Sequence, residues 1–418
     1  MPSFNLTNFD AAMKHMYPFK KVENMVYKNN PLLAMIPKDT SFPGRNATYA
    51  VEYGLTNGRS ATFQTAQNNR TGTKLEDFVV TRVKDYAVVS VDNETLLSAD
   101  GSEGSLLDVA KAKTDSALHA LSRAMGRDIY RSGTGAIGQC HAGTSPSADT
   151  TLELIEGHAV NFEVGMRIKG SATDGSALYE GVLEVTAVNR DDDVLTVSVN
   201  STTGIPSLTT SDFLYVEGDA ANGGSNIKMA GLDSWLPSSV SATSFFGVDR
   251  TLDTTRLGGQ RQTFTGTSTN NIHETLVQAA VKTGREGGRP DAVFMNPTDW
   301  AELALSLEGQ SITSSAISRR RYDSDDKNAM LGFSSLQLAC PTGIVDVYAD
   351  HNCPINVAYL LQLDTWKLKS LGSAPRLLDF DGLKGVRQSN EDGVEYRWGY
   401  YGNLLCTAPG YNCRVALA

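Results

Sequence analysis

The sequence predicts an α+β protein, a mixed α/β body into which a small β-barrel-like unit is inserted. Three observations lead there. One segment carries nearly all of the net charge and reads as a run of short strands. A polar hairpin lies well ahead of it, and a long helix with one apolar stripe joins the two. The chain has 418 residues, 40% of them hydrophobic and 20% charged, which is enough apolar material for a sizeable core and too much for wholesale disorder. Lys plus Arg number 37 against 47 Asp plus Glu, a net charge of −10. That balance argues against a protein whose main work is neutralising phosphates. No stretch approaches the ~20 apolar residues of a membrane helix. Residues 1–20 hold no continuous apolar leader, so a product that stays in the cytoplasm where it is made is expected.

Along the chain, Pro31 and Pro37 break any long helix in residues 1–40. Tyr49, Val51, Tyr53 and Leu55 then alternate with polar neighbours and run into Asn57-Gly58. This is the strongest short hairpin signal, because a type I′ turn needs φ > 0 at both central residues. The return arm that such a turn implies, Ser60 to Asn69, is almost wholly polar. A hairpin so poor in apolar surface cannot bury itself in its own core and must lie on something else. A second β segment follows over Phe78–Val91. Ser105 with Asp108 fits a capping box, and Leu107, Ala110, Thr114, Leu118, Leu121 and Met125 recur at helical spacing on a helix running to about Arg131.

From Gln139 to Leu232 four basic residues face thirteen acidic ones, a balance of −9 that leaves −1 for all the rest. Within it Thr151–Glu156, Met166–Gly170, Leu178–Val188, Val194–Val199 and Phe213–Glu217 read as strands, separated by turn-rich stretches. Five short strands at this spacing point to a small barrel or sandwich inserted into another domain. Beyond it, Ile272–Lys282 reads as a helix and Ala292–Met295 as a buried strand. Asn296-Pro297 opens a further helix. Leu336–Leu368 is strand-rich, and Glu395–Asn403 and Asn412–Leu417 read as closing strands.

Signals of chemistry are weak throughout. Gly133-Thr-Gly135-Ala-Ile-Gly138 matches a dinucleotide fingerprint by letter. It follows a helix and precedes β structure, the wrong context for that fold, so a flexible junction is expected. The six histidines form no metal-ligand pair, no G-x-S-x-G elbow occurs, and the five cysteines lack C-x2-C spacing. Reduced, mostly buried thiols are expected. Asp379-Phe-Asp381-Gly starts like a calcium loop but lacks its later ligands. Asp191-Asp192-Asp193 reads as a solvated turn. Arg319, Arg320 and Arg321 form the one basic run, and Asp323, Asp325 and Asp326 compensate it at once. That pattern suits a protein–protein contact better than a nucleic-acid groove. No catalytic, cofactor-binding or metal-binding residue is assigned.

Taken in order, the pieces resemble the major capsid proteins of tailed bacteriophages, with the Hong Kong-97 type fold. Residues 45–69 look like the extended loop that lies over a neighbouring subunit, and Ser105–Arg131 like the spine helix. RPDAVFMNPTDWAEL, Arg289 to Leu303, is similar to the axial domain, and GVEYRWGYYGNLLCTAPGYNCRVAL, Gly393 to Leu417, to the C-terminal strands. The division this resemblance implies is an N-terminal arm (1–44), an extended-loop hairpin (45–76) and a peripheral domain with the spine helix (77–138). A β insertion (139–232), an axial domain (233–375) and returning peripheral strands (376–418) follow.

The resemblance implies a structural protein and no enzyme. It would assemble with itself as hexamers and pentamers into an icosahedral head, in the host cytoplasm, around double-stranded DNA held without sequence-specific contact. A separate scaffolding protein, a portal and a decoration protein are the implied partners, with no membrane and no cofactor. A cellular nanocompartment shell of the same fold, or a β-rich enzyme or carbohydrate-binding protein, are the alternatives. Assembly contacts are expected from Tyr49, Val51 and Tyr53, from Asn57, Gly58 and Arg59, and from Arg319, Arg320 and Arg321. The acidic insertion is expected on the outer face or at a seam between subunits, away from packaged DNA.

Some members of the family join subunits by an isopeptide bond from a loop lysine. Between Lys38 and Lys74 this sequence has none; the basic residues there are Arg45, Arg59 and Arg70, and a guanidinium stays protonated. Assembled particles boiled in detergent are therefore expected to run as single chains, and a ladder of multimers would refute this.

Overall fold

The computed structural model describes residues 30–94, 109–309 and 335–417, apart from 43, 144–145, 147–148, 221–226, 265–271, 380–381, 383–384 and 390. The short helix α1 (Pro31–Met35) and strand β1 (Lys38–Asp39) lead into β2 (Asn46–Gly54). The tip helix α2 (Phe63–Asn68) separates β2 from its partner β3 (Lys74–Thr81). Then come β4 (Val83–Asp92) and the long helix α3 (Val109–Asp128). At 1.5 Å per residue α3 spans roughly 30 Å. Ala117, Leu121 and Met125, four residues apart, are its buried stripe.

The hairpin differs from its sequence reading. β2 pairs antiparallel with β3, from Asn46 opposite Thr81 to Gly54 opposite Lys74. Asn57-Gly58 is no two-residue turn, since neither residue has positive φ. Instead, Thr71 N–H donates to Asn57 O at 2.9 Å and the excursion is long. The return arm is thus Lys74–Thr81, not Ser60–Asn69, and the ribbon extends past residue 76. The physical reason lies in Phe78 and Val80, both fully buried. An apolar return strand outweighs a local turn preference that buries nothing.

Strands β5 (Ala136–Gln139), β6 (Thr151–Glu153), β7 (Arg167–Ser171), β8 (Leu183–Asn189), β9 (Val194–Val197) and β10 (Phe213–Val216) form a sheet of order β5-β10-β7-β8-β9-β6. Its ends meet. Cys140 bridges Leu154, His141 N–H donates to Glu153 O at 2.9 Å, and Ile155 N–H donates to Gln139 O at 3.0 Å. The sheet is therefore a closed six-stranded barrel with no free edge. It has its own core, with Ile137, Phe162, Ile168, Leu183, Leu195 and Leu214 buried inside.

The glycine-rich junction is not a flexible linker. It supplies strand β5. Gly135, at φ +97, runs so close to Asp219 that a Cβ would sit 2.0 Å from the Asp219 carbonyl oxygen. Asp193, expected in a solvated turn, accepts from Gly157 N–H at 2.8 Å and Ala159 N–H at 2.9 Å, holding the loop before Phe162.

After the barrel, α4 (Leu232–Trp235), β11 (Gln260–Thr263), α5 (Ile272–Arg285), β12 (Ala292–Met295) and α6 (Pro297–Gly309) precede a strand-rich end. That end comprises β13 (Ser335–Cys340), β14 (Gly343–Ala349), β15 (Val357–Leu361), β16 (Trp366–Ser370), β17 (Arg376–Leu377), β18 (Val386–Arg387), β19 (Gly393–Cys406) and β20 (Cys413–Ala416). One sheet has the order β11-β20-β15-β12-β14-β13. The other is built on β19, whose fourteen residues pair with β4 on one side and with β18, β17 and β16 on the other; β1 adds beyond β16.

Two strands therefore cross the expected division. β16, within 233–375, joins the β4–β19 sheet, and β20, at the end of 376–418, lies between β11 and β15. Each strand is short and is paired by neighbours distant in sequence, so no local pattern assigns it.

The main core centres on Trp235, fully buried. Around it stand Phe78 at 5.4 Å, Phe245 at 5.1 Å, Phe246 at 5.7 Å, and Tyr49 and Trp366 at 6.5 Å between ring centroids. Trp235→Ala should destabilise the unassembled chain by about 3–5 kcal/mol, read from its urea midpoint. A change within experimental error would show that this cluster is not the structural centre.

Candidate assembly interface

The ribbon has two unlike parts. At its root the alternation is real, but it faces inward. Tyr49, Val51 and Tyr53 pack on the chain's own core, Tyr49 stacks on Phe78 at 5.6 Å, and its hydroxyl donates to Cys406 O. Burial pushes the Tyr49 hydroxyl pKa far up, so it stays a neutral donor. These three residues are candidate assembly contacts by sequence; within the chain they are half-buried, packed against the core that the apolar return strand brings to them.

The tip is the part that reaches solvent. From Leu55 to Lys74 every residue is exposed except Gly58 and Ala66, which are half-buried. Leu55 is 77% and Phe63 79% exposed, and Leu75 beside them 57%. Asn57 and Arg59 are exposed, and Gly58 packs near Ala66 and Arg70. The tip is nonetheless tied to itself. Asn57 N–H donates to Thr71 Oγ1 at 2.9 Å, Thr56 and Thr73 hydroxyls meet at 3.0 Å, and Arg70 Nε donates to Gln67 O at 3.0 Å. Arg59, Arg70 and Lys74 give it a charge of +3 with no carboxylate. Lys74, the nearest amine, stands where tip meets ribbon, opposite Gly54. Arg319, Arg320 and Arg321 lie outside the described residues.

Sequence reasoning missed Arg256. Its Nη1 donates to Tyr53 O at 2.7 Å while its Nε pairs with Glu286 at 3.2 Å. It thus clamps the outgoing strand to the segment after the barrel, beside an open cleft of about 440 Å³. A lone arginine more than two hundred residues from its acceptor leaves no signal in a linear reading.

The barrel is held to the long helix by Arg123, which donates to Glu163 and to Val160 O. At its exit Lys228, nearly buried, reaches Asp85 at 2.8 Å and Asp219 at 3.0 Å. Burial alone would lower its pKa, but Asp128, Asp85 and Asp219 raise it, so the ammonium stays charged. Asp174 accepts from Ser132 Oγ at 2.6 Å and from Thr134, pinning the entry. Between barrel, α3 and β4 lies a groove of about 560 Å³.

No group of three or more His, Cys, Asp or Glu among the described residues could hold a metal. Burial pushes the thiols of Cys140, Cys406 and Cys413 up to about 12, so they are poor nucleophiles. His158 is lowered to about 3 by burial and accepts from Gln139 N–H at 3.0 Å, a structural role.

No protein-family model and no curated protein matches the chain. Solved structures do. The capsid asymmetric unit of cyanophage A-1(L) superposes with a TM-score of 0.54 at 12% identity, covering 95% of both chains. The chain has the fold of a phage capsid subunit. The capsid of the myovirus XM1 matches at TM-score 0.47 and 8% identity over 96% of each chain. The SrpI encapsulin of Synechococcus elongatus matches at 0.45 and 6%, over 100% of this chain and 96% of that one.

Within this capsid fold the ribbon is aimed by its root. Replacing Arg256 with alanine removes a charge-assisted hydrogen bond worth roughly 1.5–3 kcal/mol. Backbone amides of residues 49–55 should then exchange at least about tenfold faster, with the barrel unchanged. Unaltered exchange would show that the clamp does not set the ribbon.

Proposed function

We propose that this chain is the major capsid protein of a tailed bacteriophage, a structural subunit that assembles with itself as hexamers and pentamers into an icosahedral head around double-stranded DNA. The observation that carries this reading is the match over 95% of both chains to a cyanophage capsid subunit. The exposed tip supports it. Leu55, Phe63 and Leu75 stand in solvent on a ribbon whose own root is well packed. Several large apolar side chains left exposed on one stretch of the ribbon suit a contact surface. Heterologous contacts of one copy's tip on the next can curve and close into a shell.

Charge is compatible with enclosing DNA. At −10 overall the chain does not condense on a polyanion. The barrel, whose segment carries −9, belongs on the outer face or along a subunit seam, because against packaged phosphates it would be repelled over about 8 Å at physiological salt.

Expression with its neighbouring gene products should give closed particles by electron microscopy, and a chain that stays monomeric would overturn the reading. Density maps of DNA-filled particles should place the barrel outside the lumen. Particles that enclose protein cargo and no DNA would favour a nanocompartment instead.

A further inference from the structure

We infer that the basic tip of the ribbon docks on the acidic barrel of a second copy of this chain, at the patch around Glu184. This rests on the shell reading and names the surface that receives the tip.

The donor side is the stretch Leu55–Lys74. It carries Arg59, Arg70 and Lys74 and no acidic residue. Among the described residues none of the three forms an ion pair within the chain. Internal hydrogen bonds from Thr56 to Thr73, Asn57 to Thr71 and Arg70 to Gln67 preorganise the element that carries these cations and the exposed Leu55 and Phe63.

The acceptor side is the barrel. Three of its four basic residues are already paired within the chain: Arg167 with Glu217 at 2.8 Å, Arg190 with Glu163 at 3.1 Å, and Lys228 with Asp85 and Asp219. Glu180 and Glu184 are exposed and have no ion pair among the described residues. Directly opposite Glu184 on β7 stands Arg167, whose guanidinium is held by Glu217, and the segments on either side of β8 each carry an exposed valine. Val164, 65% exposed, precedes Gly165, whose N–H donates to Val185 O at 2.8 Å. Val199, 44% exposed, follows Ser198, whose N–H donates to Glu184 O at 2.8 Å. The barrel thus offers the exposed carboxylates Glu180 and Glu184 on a segment of net charge −9, with exposed valines on the segments that adjoin β8. The tip offers three cations and the exposed Leu55 and Phe63 on one stretch of chain. The two stretches are opposite in net charge.

The contact belongs between copies. Among the described residues, the hydrogen bonds of the tip stay within the tip, and none joins it to its own barrel. Exposed ion pairs are individually weak and screened by salt. Burial of the apolar groups, and repetition around a ring of subunits, make the contact count.

Two experiments on the full chain under assembling conditions test this. In the first, a Phe63→Cys chain is mixed with a Val199→Cys chain, and a Leu55→Cys chain with a Val164→Cys chain, then oxidised. Four native cysteines are buried and Cys340 half-buried, so each variant alone gives the background. A cross-linked dimer in either mixture, above both backgrounds, is expected. In the second, Arg59→Glu with Arg70→Glu should lower the yield of particles roughly three- to fivefold at 0.15 M salt. Adding Glu180→Lys with Glu184→Lys should restore most of it.

Particles that form with both mixtures silent and no rescue overturn this docking alone and leave the shell intact. A wild-type chain that never assembles overturns both readings. If the tip reversal instead abolishes binding of the full chain to a duplex DNA and the barrel reversal rescues nothing, the tip is a nucleic-acid contact and the docking is wrong.

Discussion

Burial of Trp235 is the constraint on which the rest of the structure depends. The residue sits on the first turn after the barrel, and its ring is enclosed by Tyr49 and Phe78 from the ribbon, Phe245 and Phe246 from the following loop, and Trp366 from the returning sheet. Its indole N–H donates to Leu404 O at 3.3 Å. One side chain therefore joins the ribbon's root, the barrel's exit and the central strand β19. Aromatic rings of this size contribute by area and by their tilted and edge contacts. Because they close-pack, the ribbon cannot change its angle without opening the core. Arg250, which lies over the Phe245 ring at 4.2 Å and donates to Ser234 O at 2.7 Å, seals the same cluster from outside.

The barrel has a different kind of autonomy. Closure removes its edges and gives it a hydrophobic core of its own. What the body fixes is its orientation. The two connectors run against each other, with Gly135 passing Asp219 and Lys228 N–H donating to Gly133 O at 3.2 Å, while the Lys228 ammonium bridges Asp219 to Asp85 on β4. Buried ion pairs add little net stability over an apolar replacement. Their directional demand is what matters here, because any other seating of the barrel leaves a buried charge unpaired. Asp350 plays a similar part on the far side of α3. It accepts from the Tyr130 hydroxyl at 2.9 Å, and burial raises its pKa to about 6.

Charge is sorted by element rather than averaged over the surface. The tip is cationic, the barrel segment strongly anionic, and the much longer remainder only mildly anionic. A monomer gains nothing from this separation, since opposite charges held apart in water interact weakly. Under the docking inferred above, the same separation would choose which surfaces of identical copies meet.

The sequence by itself determined the fold class, the charge segregation and the buried strand Ala292–Met295 with the Asn296-capped helix after it, because each of these is written in local composition or period. It also carried the order of elements from which the capsid resemblance could be recognised. Only the tertiary structure decided where the hairpin returns, which sheet takes β16 and which takes β20, that the glycine junction is a barrel strand, and that Tyr49, Val51 and Tyr53 face inward. Those outcomes rest on partners such as Trp235 and Phe78, or Arg256 and Tyr53, that are far apart in sequence. A turn signal such as Asn57-Gly58 encodes a preference of about a kilocalorie, and burying Phe78 and Val80 in the core around a distant tryptophan outweighs it.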